Sequence, residues 1–329
     1  MAKRNEASLL VLVAMAVVVF LSVQVKSAVA ASSYTTEMQK AVRNEMNVPR
    51  DLLPGFIRLF FHDCFVNGCD GSVLLETSRM NGPNEKTEMT SAFNGGLRGL
   101  EVIQKIKENL GPKYGITCTD AVIYAAREAV YVLSNGKIAY NVTGPGRMDG
   151  VISRSEDPEK SLPTPSFDFA QLKENFQKKG FNETELVALS GAHAVGVAHS
   201  SFFQSALDDI DTPPKYRAAI IQERKLGDVV KNNVRDFNPP PADYKPNSVN
   251  MSAKGGLDNS FYNAVPQKMV LFRSDRVLWV GAELNVTTYK NNTDTWYKDF
   301  GYAMEKLSKL AAAGDPSNME IRKVCSKTN

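Results

Sequence analysis

The chain has a small net charge, no internal repeat and a single long apolar run. The formal net charge is +3 over 329 residues, and without the first thirty residues the basic and acidic side chains are almost in balance. That balance gives no reason to expect nucleic acid or an anionic membrane as a partner. Because no internal repeat, low-complexity tract or linker divides the chain, we expect two closely packed lobes rather than separate modules.

The one long apolar run lies at the N-terminus. Lys3 and Arg4 precede the run LLVLVAMAVVVFLSV, and Ala28-Val29-Ala30 has the small-residue pattern of a cleavage site. The run is short for a membrane-spanning helix, which makes a membrane anchor the less favoured interpretation. We therefore predict a secretory signal over residues 1–30 and one mature domain over residues 31–329.

Strand-like alternation is nearly absent, and helical periodicity runs through most of the mature chain. One apolar helical face is formed by Leu100, Ile103, Ile106 and Leu110. Gly111-Pro112 is predicted to stop that helix, and similar faces occur in FDFAQLKENFQKKG and TWYKDFGYAMEKLSKLAA. Within residues 204–256 the pattern predicts long loops around a charged helix, Tyr216–Val234. The sequence thus predicts an all-α protein.

Cysteine is also scarce, and sequons are frequent. The four cysteines are Cys64, Cys69, Cys118 and Cys325. In a secreted chain they are expected to form two disulfides, for which the sequence alone allows three pairings. The five N-x-[ST] sequons, which indicate a glycoprotein, begin at Asn141, Asn182, Asn250, Asn285 and Asn291.

The chain has only three histidines, so the surroundings of each are informative. Four residues advance a helix about 40° past a full turn, so Arg58 and His62 project from one face, with Phe61 beside them. Aimed into a cavity, the pair would supply a proton carrier and a fixed cation for developing negative charge. A surface arginine and a core histidine with satisfied hydrogen bonds explain the pair equally well.

His193 lies among small residues in LVALSGAHAVG, after a helix that Asn182 and Glu185 would cap. Small side chains let a large, flat ligand such as a metal-bound macrocycle lie against the backbone, but close helix packing explains the same composition. A zinc hydrolase using His193 and His199 fails on geometry. Six residues turn a helix so that the two rings point about 120° apart, and no H-E-x-x-H motif occurs.

Two segments together resemble the secreted plant haem peroxidases, the class III family. They are RLFFHDCFVNGCDGSVLL, residues 58–75, and ELVALSGAHAVG, residues 185–196. The resemblance extends from about Tyr34 to Cys325, and the order and separation of the two motifs are those of the family. It implies an all-α, two-lobed fold with haem between a distal and a proximal lobe.

The resemblance also implies roles for individual residues. Arg58, Phe61 and His62 match the distal residues on the haem face where hydrogen peroxide reacts. His193 matches the axial ligand of the iron, and Asp275 matches the carboxylate that accepts a hydrogen bond from that ligand. His62 would carry a proton between the two peroxide oxygens, while Arg58 would stabilise the charge that builds as their bond breaks.

Three further positions can be compared with the family. Pro163 matches the proline at the haem edge, where aromatic donors are met. Asn94 is the nearest candidate for the asparagine that orients His62, in a segment about two residues longer than is usual in the family. His199 has no matching role and is expected to be structural or exposed.

A distal calcium site is implied by the segment that follows His62. Its ligands would be Asp63, Asp70, the carbonyls of Val66 and Gly68, and the hydroxyl of Ser72. Glu85 resembles the family's carboxylate that reaches the ion through water. The resemblance also pairs Cys64 with Cys69 and Cys118 with Cys325, and it matches Asp120 and Arg147 to a buried ion pair.

The chain departs from the family in its cysteines and in a second, proximal calcium site. Class III members usually have eight cysteines, and Ser200 stands at the position of one. Each missing disulfide would cost about 2–4 kcal/mol of stability. Ala194 follows the ligand histidine where the family has threonine. Asn250 and Ala253 stand where a carboxylate and a threonine are expected, which leaves Asp258; we therefore expect one calcium ion rather than two.

The function that the resemblance implies is a peroxidase with one haem b. It would reduce hydrogen peroxide to water and oxidise small phenolic donors by one-electron steps. The departures favour an alternative, a secreted glycoprotein of the same fold with weak or no activity and a structural or binding role. Retention of Arg58, His62, His193 and Asp275 argues against it. We expect a monomer outside the cell or in the cell wall, with the vacuole as the other location, and no membrane partner once the signal is removed.

Overall fold

The computed structural model describes residues 35–79, 86–225, 229–231, 256–313, 315, 317 and 319–329. The predicted signal, Glu85, Asn250 and Ala253 lie outside these residues. The helices of the described part are α1 (35–45), α2 (Leu53–Asn67), α3 (Leu100–Tyr114), α4 (Cys118–Leu133), α5 (Asp157–Ser161), α6 (Phe169–Lys178), α7 (Glu183–Ser190), α8 (Gln204–Asp208), α9 (Pro214–Arg224), α10 (Ser260–Ala264), α11 (Arg273–Gly281), α12 (Glu283–Asn291) and α13 (Thr293–Leu307). The all-α fold is therefore confirmed.

Two long helix pairs form the centre of the molecule. Helix α2 packs along α4, and α13 packs along α7. Pro54 stands in the first turn of α2, where a missing N–H costs nothing. Helix α4 begins with a capping box between Thr117 and Asp120. No helix in the described part of the chain is long and apolar enough to cross a membrane.

Short strands join distant parts of the chain. Strand β1 (Asp149–Gly150) pairs antiparallel with β4 (Met319–Glu320), and β2 (Val197–His199) pairs with β3 (Val229–Lys231). The predicted helix Tyr216–Val234 was too long, because α9 ends at Arg224 and the chain is extended again in β3. Strands of two or three residues are too short to show a periodic pattern in the sequence.

The predicted stop at Gly111-Pro112 was also wrong. Helix α3 includes Pro112 in its last turn and continues to Tyr114. It ends at Gly115, whose φ of +73° is a left-handed conformation that glycine adopts without strain. The Gly115 N–H donates to the Gly111 carbonyl at 2.8 Å. The helix thus ends at Gly115, four residues after Gly111, where the sequence predicted the stop.

The expected covalent links are present. Cys64 pairs with Cys69 across the turn that follows α2, and Cys118 at the start of α4 pairs with Cys325 near the C-terminus. The buried Asp120 carboxylate accepts from Arg147 Nη1 at 2.8 Å. The first disulfide closes the turn after α2, and the second ties the start of α4 to the C-terminal segment. The ion pair joins α4 to the loop that contains Arg147.

Candidate functional site

Two elements face one another across a cavity of about 520 Å³. Helix α2 contributes Arg58, Phe61 and His62 to its wall, and the 3₁₀ turn Gly191–Ala194 that follows α7 contributes His193. The wall is mostly apolar, and the volume lies in the range of cofactor sites. The structure thus brings together the two histidines that stand 131 residues apart in the sequence.

His62 is held by a short chain of hydrogen bonds. Its Nδ1 lies 2.7 Å from Oδ1 of Asn94, an atom that can only accept, so Nδ1 carries the hydrogen and Nε2 is the basic nitrogen. The Asn94 amide Nδ2 donates in turn to the Glu88 carbonyl at 2.8 Å. Asn94, the nearest candidate in the sequence, therefore makes the orienting contact.

The charges beside His62 favour its neutral form. Burial, followed by the positive charge of Arg58, lowers the pKa of His62 to about 3, while the hydrogen bond that His62 donates to Asn94 acts in the opposite direction. Arg58 Nη2 donates to the Phe93 carbonyl at 2.9 Å and Nη1 to the Gly95 carbonyl at 3.1 Å. Burial lowers the pKa of Arg58 to about 10, so it remains a cation at neutral pH. The pair consists of a neutral base beside a fixed positive charge.

His193 is oriented by a buried carboxylate. Its Nδ1 lies 2.9 Å from Oδ1 of Asp275, which belongs to the first turn of α11. Burial by itself would lower the pKa of His193, but the charge and the hydrogen bond of Asp275 outweigh it and raise the pKa. The rings of Phe261 and Phe272 meet the imidazole edge-on, with centroids 6.2 and 5.3 Å away. This leaves Nε2 as the ring nitrogen that a metal would bind, in place of its proton.

Two other residues line the same cavity. Pro163, between α5 and α6, is half-buried there. His199, the last residue of β2, is also half-buried in the wall.

Buried carboxylates surround the turn after α2. Asp63 Oδ2 accepts from the Gly71 N–H at 3.0 Å, and Asp70 Oδ1 accepts from the Ser72 N–H at 2.9 Å. Ser72 Oγ donates to Glu88 Oε1 at 2.8 Å. Among the described residues, Asp63 Oδ1 and Glu88 Oε2 are buried without a hydrogen-bond partner. Buried acceptor oxygens of this kind call for a cation or a proton.

The pKa values of these acids point the same way. Burial, followed by the charge of Asp70, raises the pKa of both Asp63 and Glu88 well above their ordinary values. Burial also raises the pKa of Asp70 to about 6. Three carboxyl groups that are hard to ionise together fit a site completed by a divalent cation.

The fit to calcium depends on backbone oxygens as well as on carboxylates. In the described part of the chain, no group of three or more His, Cys, Asp or Glu side chains is arranged to hold a metal ion. The Val66 carbonyl, one of the predicted ligands, accepts from Lys179 Nζ at 2.6 Å and from Ser161 Oγ at 3.3 Å. Gly68 directly follows α2 with φ +79°. The oxygens suit calcium, and Lys179 is a competing cation at one of them.

Glu88 is a carboxylate beside this turn that the sequence analysis did not single out. Glu85, which was predicted to reach the calcium ion through water, lies outside the described residues; Glu88 contacts Ser72 through its side chain and Asn94 through its carbonyl. Glu88 stands six residues before Asn94. Counting back from the residue that orients His62, rather than forward from the disulfide turn, would have found it.

Of the four positions of the predicted proximal calcium site, the structure describes Ala194 and Asp258. Ala194 is buried and has no side-chain oxygen. Asp258 Oδ1 accepts from the Ser260 N–H at 2.9 Å, a local contact at the start of α10. Asp258 therefore remains the single predicted proximal ligand with a described side-chain oxygen.

Comparison with known proteins agrees with this geometry. The family described as Peroxidase matches residues 37–293. Peroxidase 5 of Vitis vinifera is 34% identical over 78% of this chain and 76% of its own length. Peroxidase 47 of Arabidopsis thaliana is 32% identical over 89% of this chain and 84% of its own, and Peroxidase RIP1 of Medicago truncatula is 33% identical over 82% and 79%. The chain therefore belongs to the peroxidase family, and its resemblance to the plant class III peroxidases is confirmed.

Proposed function

We propose that this protein is a haem peroxidase that reduces hydrogen peroxide to water while oxidising phenolic donors in one-electron steps. The observation that carries the proposal is the arrangement of His62 and His193 on one cavity, each with its Nδ1 bonded to a fixed acceptor. One ring is thereby set as a base and the other as a metal ligand. A peroxide-dependent oxidation at a bound metal would use a base and a metal ligand of these two kinds.

The residues present fit a haem. His193 would bind the iron through Nε2, with Asp275 keeping the imidazole electron-rich. The apolar walls of the cavity would exclude water from the macrocycle. Bound haem would supply the open iron position for peroxide and the two electrons that its reduction consumes.

His62 would transfer the peroxide proton, and Arg58 would stabilise the negative charge that develops. Nε2 of neutral His62 takes a proton from one peroxide oxygen and returns it to the other, which departs as water. Arg58, fixed by two backbone carbonyls, stabilises the negative charge that grows on the departing oxygen. Because the burial that keeps His62 neutral is a property of the fold, the base is present before peroxide arrives.

We also propose one calcium ion beside the distal helix. Asp63, Asp70, Ser72 and the carbonyls of Val66 and Gly68 would hold it. Asp63 directly follows His62, so the ion would brace the end of the helix that carries the base. Phenolic donors would meet the cavity at Pro163.

The fit of these residues favours the enzyme over a non-catalytic binding role. A protein that only binds haem has no use for a neutral histidine in the cavity wall that is oriented by Asn94 and paired with a cation. The protein would be secreted, and it would act outside the cell or in the cell wall.

The proposal is tested on protein secreted from the full-length precursor in a eukaryotic host. We expect a haem absorbance band in the purified protein and peroxide-dependent oxidation of guaiacol. One calcium per chain is expected from metal analysis. A folded protein that contains no haem, or that contains haem and oxidises no phenol, would contradict the proposal.

A further inference from the structure

The C-terminal part of the chain lies against the turn that follows α2. Strand β4 pairs antiparallel with β1 at the start of this part. Farther on, the Ser326 carbonyl accepts from the N–H of Glu76, which lies just after the turn, at 2.9 Å. We call residues 319–326 the C-terminal strap, and the strap brings Arg322 to the turn.

Arg322 is fully buried, which is unusual for a side chain that carries a charge. Its Nη2 donates to the Gly71 carbonyl at 2.7 Å, and its backbone N–H donates to Asp149 Oδ2 at 2.9 Å. Asp149 Oδ1 accepts in turn from the N–H of Thr119, near the start of α4, at 2.8 Å. The guanidinium therefore has a fixed position between the strap, α4 and the turn.

Gly71 leaves the space that the guanidinium occupies. A Cβ atom at Gly71 would lie 2.6 Å from Arg322 Nη2 and 3.1 Å from Thr119 Oγ1. Gly71 also has a φ of +67°, which favours glycine. Its N–H donates to Asp63 Oδ2 at 3.0 Å, and Asp63 directly follows His62. Gly71 thus joins the cation of the strap to the residue beside the base.

The charge of Arg322 is compensated by the acids around it. Burial lowers the pKa of Arg322, and the charges of Asp149, Asp70 and Asp63 act in the opposite direction. Among the described residues, Arg322 Nε and Nη1 are buried without a hydrogen-bond partner. Because a buried cation is costly, the nearby carboxylates must offset its burial, and it must offset theirs. Removal of the guanidinium would leave these acids without that charge.

The strap is anchored on both sides of Arg322. Strand β4 holds it before this residue, and the disulfide between Cys325 and Cys118 holds it three residues later. Replacement of the Arg322 side chain should therefore leave the strap in place. The contribution of the guanidinium can then be measured separately from that of the strap.

Calcium would supply positive charge to the same acids, since Asp63 and Asp70 are two of its proposed ligands. A bound ion can dissociate, whereas Arg322 belongs to the chain and stays charged at every pH at which proteins fold. We propose that Arg322 is a positioning residue that keeps the turn after α2 folded when calcium is not bound. The inference rests on the calcium site of the proposed function.

Hydrogen exchange tests this role on the secreted holoprotein. The Gly71 N–H is bonded to Asp63, so its exchange reports whether the turn is folded. Exchange of peptides that contain Gly71 is followed by mass spectrometry, with excess calcium and with a chelator. In the chelator, we expect exchange in Arg322→Met to be about tenfold or more faster than in the parent, as for loss of a hydrogen bond from a charged group. Excess calcium should reduce the difference.

Two variants and one helix serve as controls. Lys323→Met removes the same charge from an exposed neighbour in the strap and should behave like the parent. Arg322→Lys keeps a charged donor and should recover part of the protection. Exchange in α12, which packs against α10, α11 and α13, measures general destabilisation.

A second measurement follows the base at the end of α2. In the chelator, the rate constant with hydrogen peroxide should be several-fold lower in Arg322→Met than in Lys323→Met. Added calcium should restore it, because the ion would hold the same turn. A general loss of stability would not be reversed selectively by calcium in one of two variants that lack the same charge.

The parent protein gives a test that needs no variant to fold. We expect Gly71 to stay protected in the chelator, and complete loss of its protection would overturn the inference, since Arg322 would then not hold the turn. Equal exchange in Arg322→Met and Lys323→Met, or equal acceleration in the turn and in α12, would overturn it as well. The exchange measurements use neither peroxide nor a phenol. A protein that exchanges as expected but oxidises no phenol would therefore contradict the proposed function alone.

Discussion

The two sides of the cavity are built in different ways. On the distal side, hydrogen bonds join His62 to Asn94, Asn94 to Glu88, and Glu88 to Ser72. The Cys64–Cys69 disulfide closes the neighbouring turn after α2. On the proximal side, one side-chain hydrogen bond to Asp275 orients His193, which lies in a four-residue turn. Each histidine thus has one orienting side-chain hydrogen bond in the described part of the chain, but the partner of the distal base is itself held by a further chain of hydrogen bonds.

Because of this difference, we expect the two sides to control different properties of the enzyme. Changes on the distal side should alter the rate of peroxide reduction while haem stays bound. Changes on the proximal side should alter how well haem is held. The predictions below are ordered from the largest expected effect to the smallest.

Replacement of the base should have the largest effect on rate. In His62→Ala the proton carrier is lost, so we expect the second-order rate constant with hydrogen peroxide to fall by about 10²–10⁴-fold. The haem content should match that of the parent, because His193 is untouched. A variant that reacts at the parent rate, measured by rapid-mixing absorbance, would remove His62 from the mechanism.

Loss of either orienting partner should cost about 10–100-fold, but in different quantities. Asn94→Ala frees Nδ1 of His62 and should slow the peroxide reaction with haem retained. Asp275→Ala frees Nδ1 of His193 and should speed haem loss to apomyoglobin. If both variants lost haem equally fast, with no separate effect on rate, the contrast between the two sides would be wrong.

Removal of the lysine beside the calcium site should have a smaller effect. Lys179 Nζ donates to the Val66 carbonyl at 2.6 Å, where its charge opposes a bound cation. We expect Lys179→Met to tighten calcium binding a few-fold in a titration against a chelating dye. Lys178→Met is the matched control, since that neighbouring lysine is exposed and paired with Glu174. Weaker calcium binding in Lys179→Met would show that the lysine supports the loop instead.

The pH dependence should be nearly absent. Burial, with the charge of Arg58 second, lowers the pKa of His62 from the ordinary 6.5 to about 3. Because the lowered pKa favours the neutral base, His62 stays unprotonated as the pH falls from 8 to 5. The rate constant with peroxide should therefore vary less than about twofold over that range. A tenfold fall centred near pH 6.5 would mean that His62 titrates like an unburied histidine.

The sequence predicted the parts of the site that depend on local patterns. Helical spacing placed Arg58 and His62 on one face, and motif resemblance assigned the disulfide pairs that the structure contains. Glu88 was missed because the segment before Asn94 is longer than usual, and a shift of register cannot be seen without the hydrogen bond that fixes it. The pairing of β2 with β3, in which His199 lies opposite Val229, joins residues 30 positions apart, and no local pattern predicts it.

The same limit explains the errors in the helices. Pro112 predicted the end of a helix, but it lies inside the last turn of α3, which ends at Gly115. The helix predicted to reach Val234 ends at Arg224, since β3 finds its partner in a strand distant in sequence. In the second case the strand pairing is a contact that the local pattern does not display.

The reaction of the holoprotein with one equivalent of hydrogen peroxide tests the central claim most directly. The claim is that a neutral His62, oriented by Asn94 and paired with Arg58, makes the distal side a working peroxide site. We predict that the haem absorbance changes within milliseconds of mixing and returns on addition of a phenol. Haem that is bound through His193, yet shows no change with peroxide, would contradict the account.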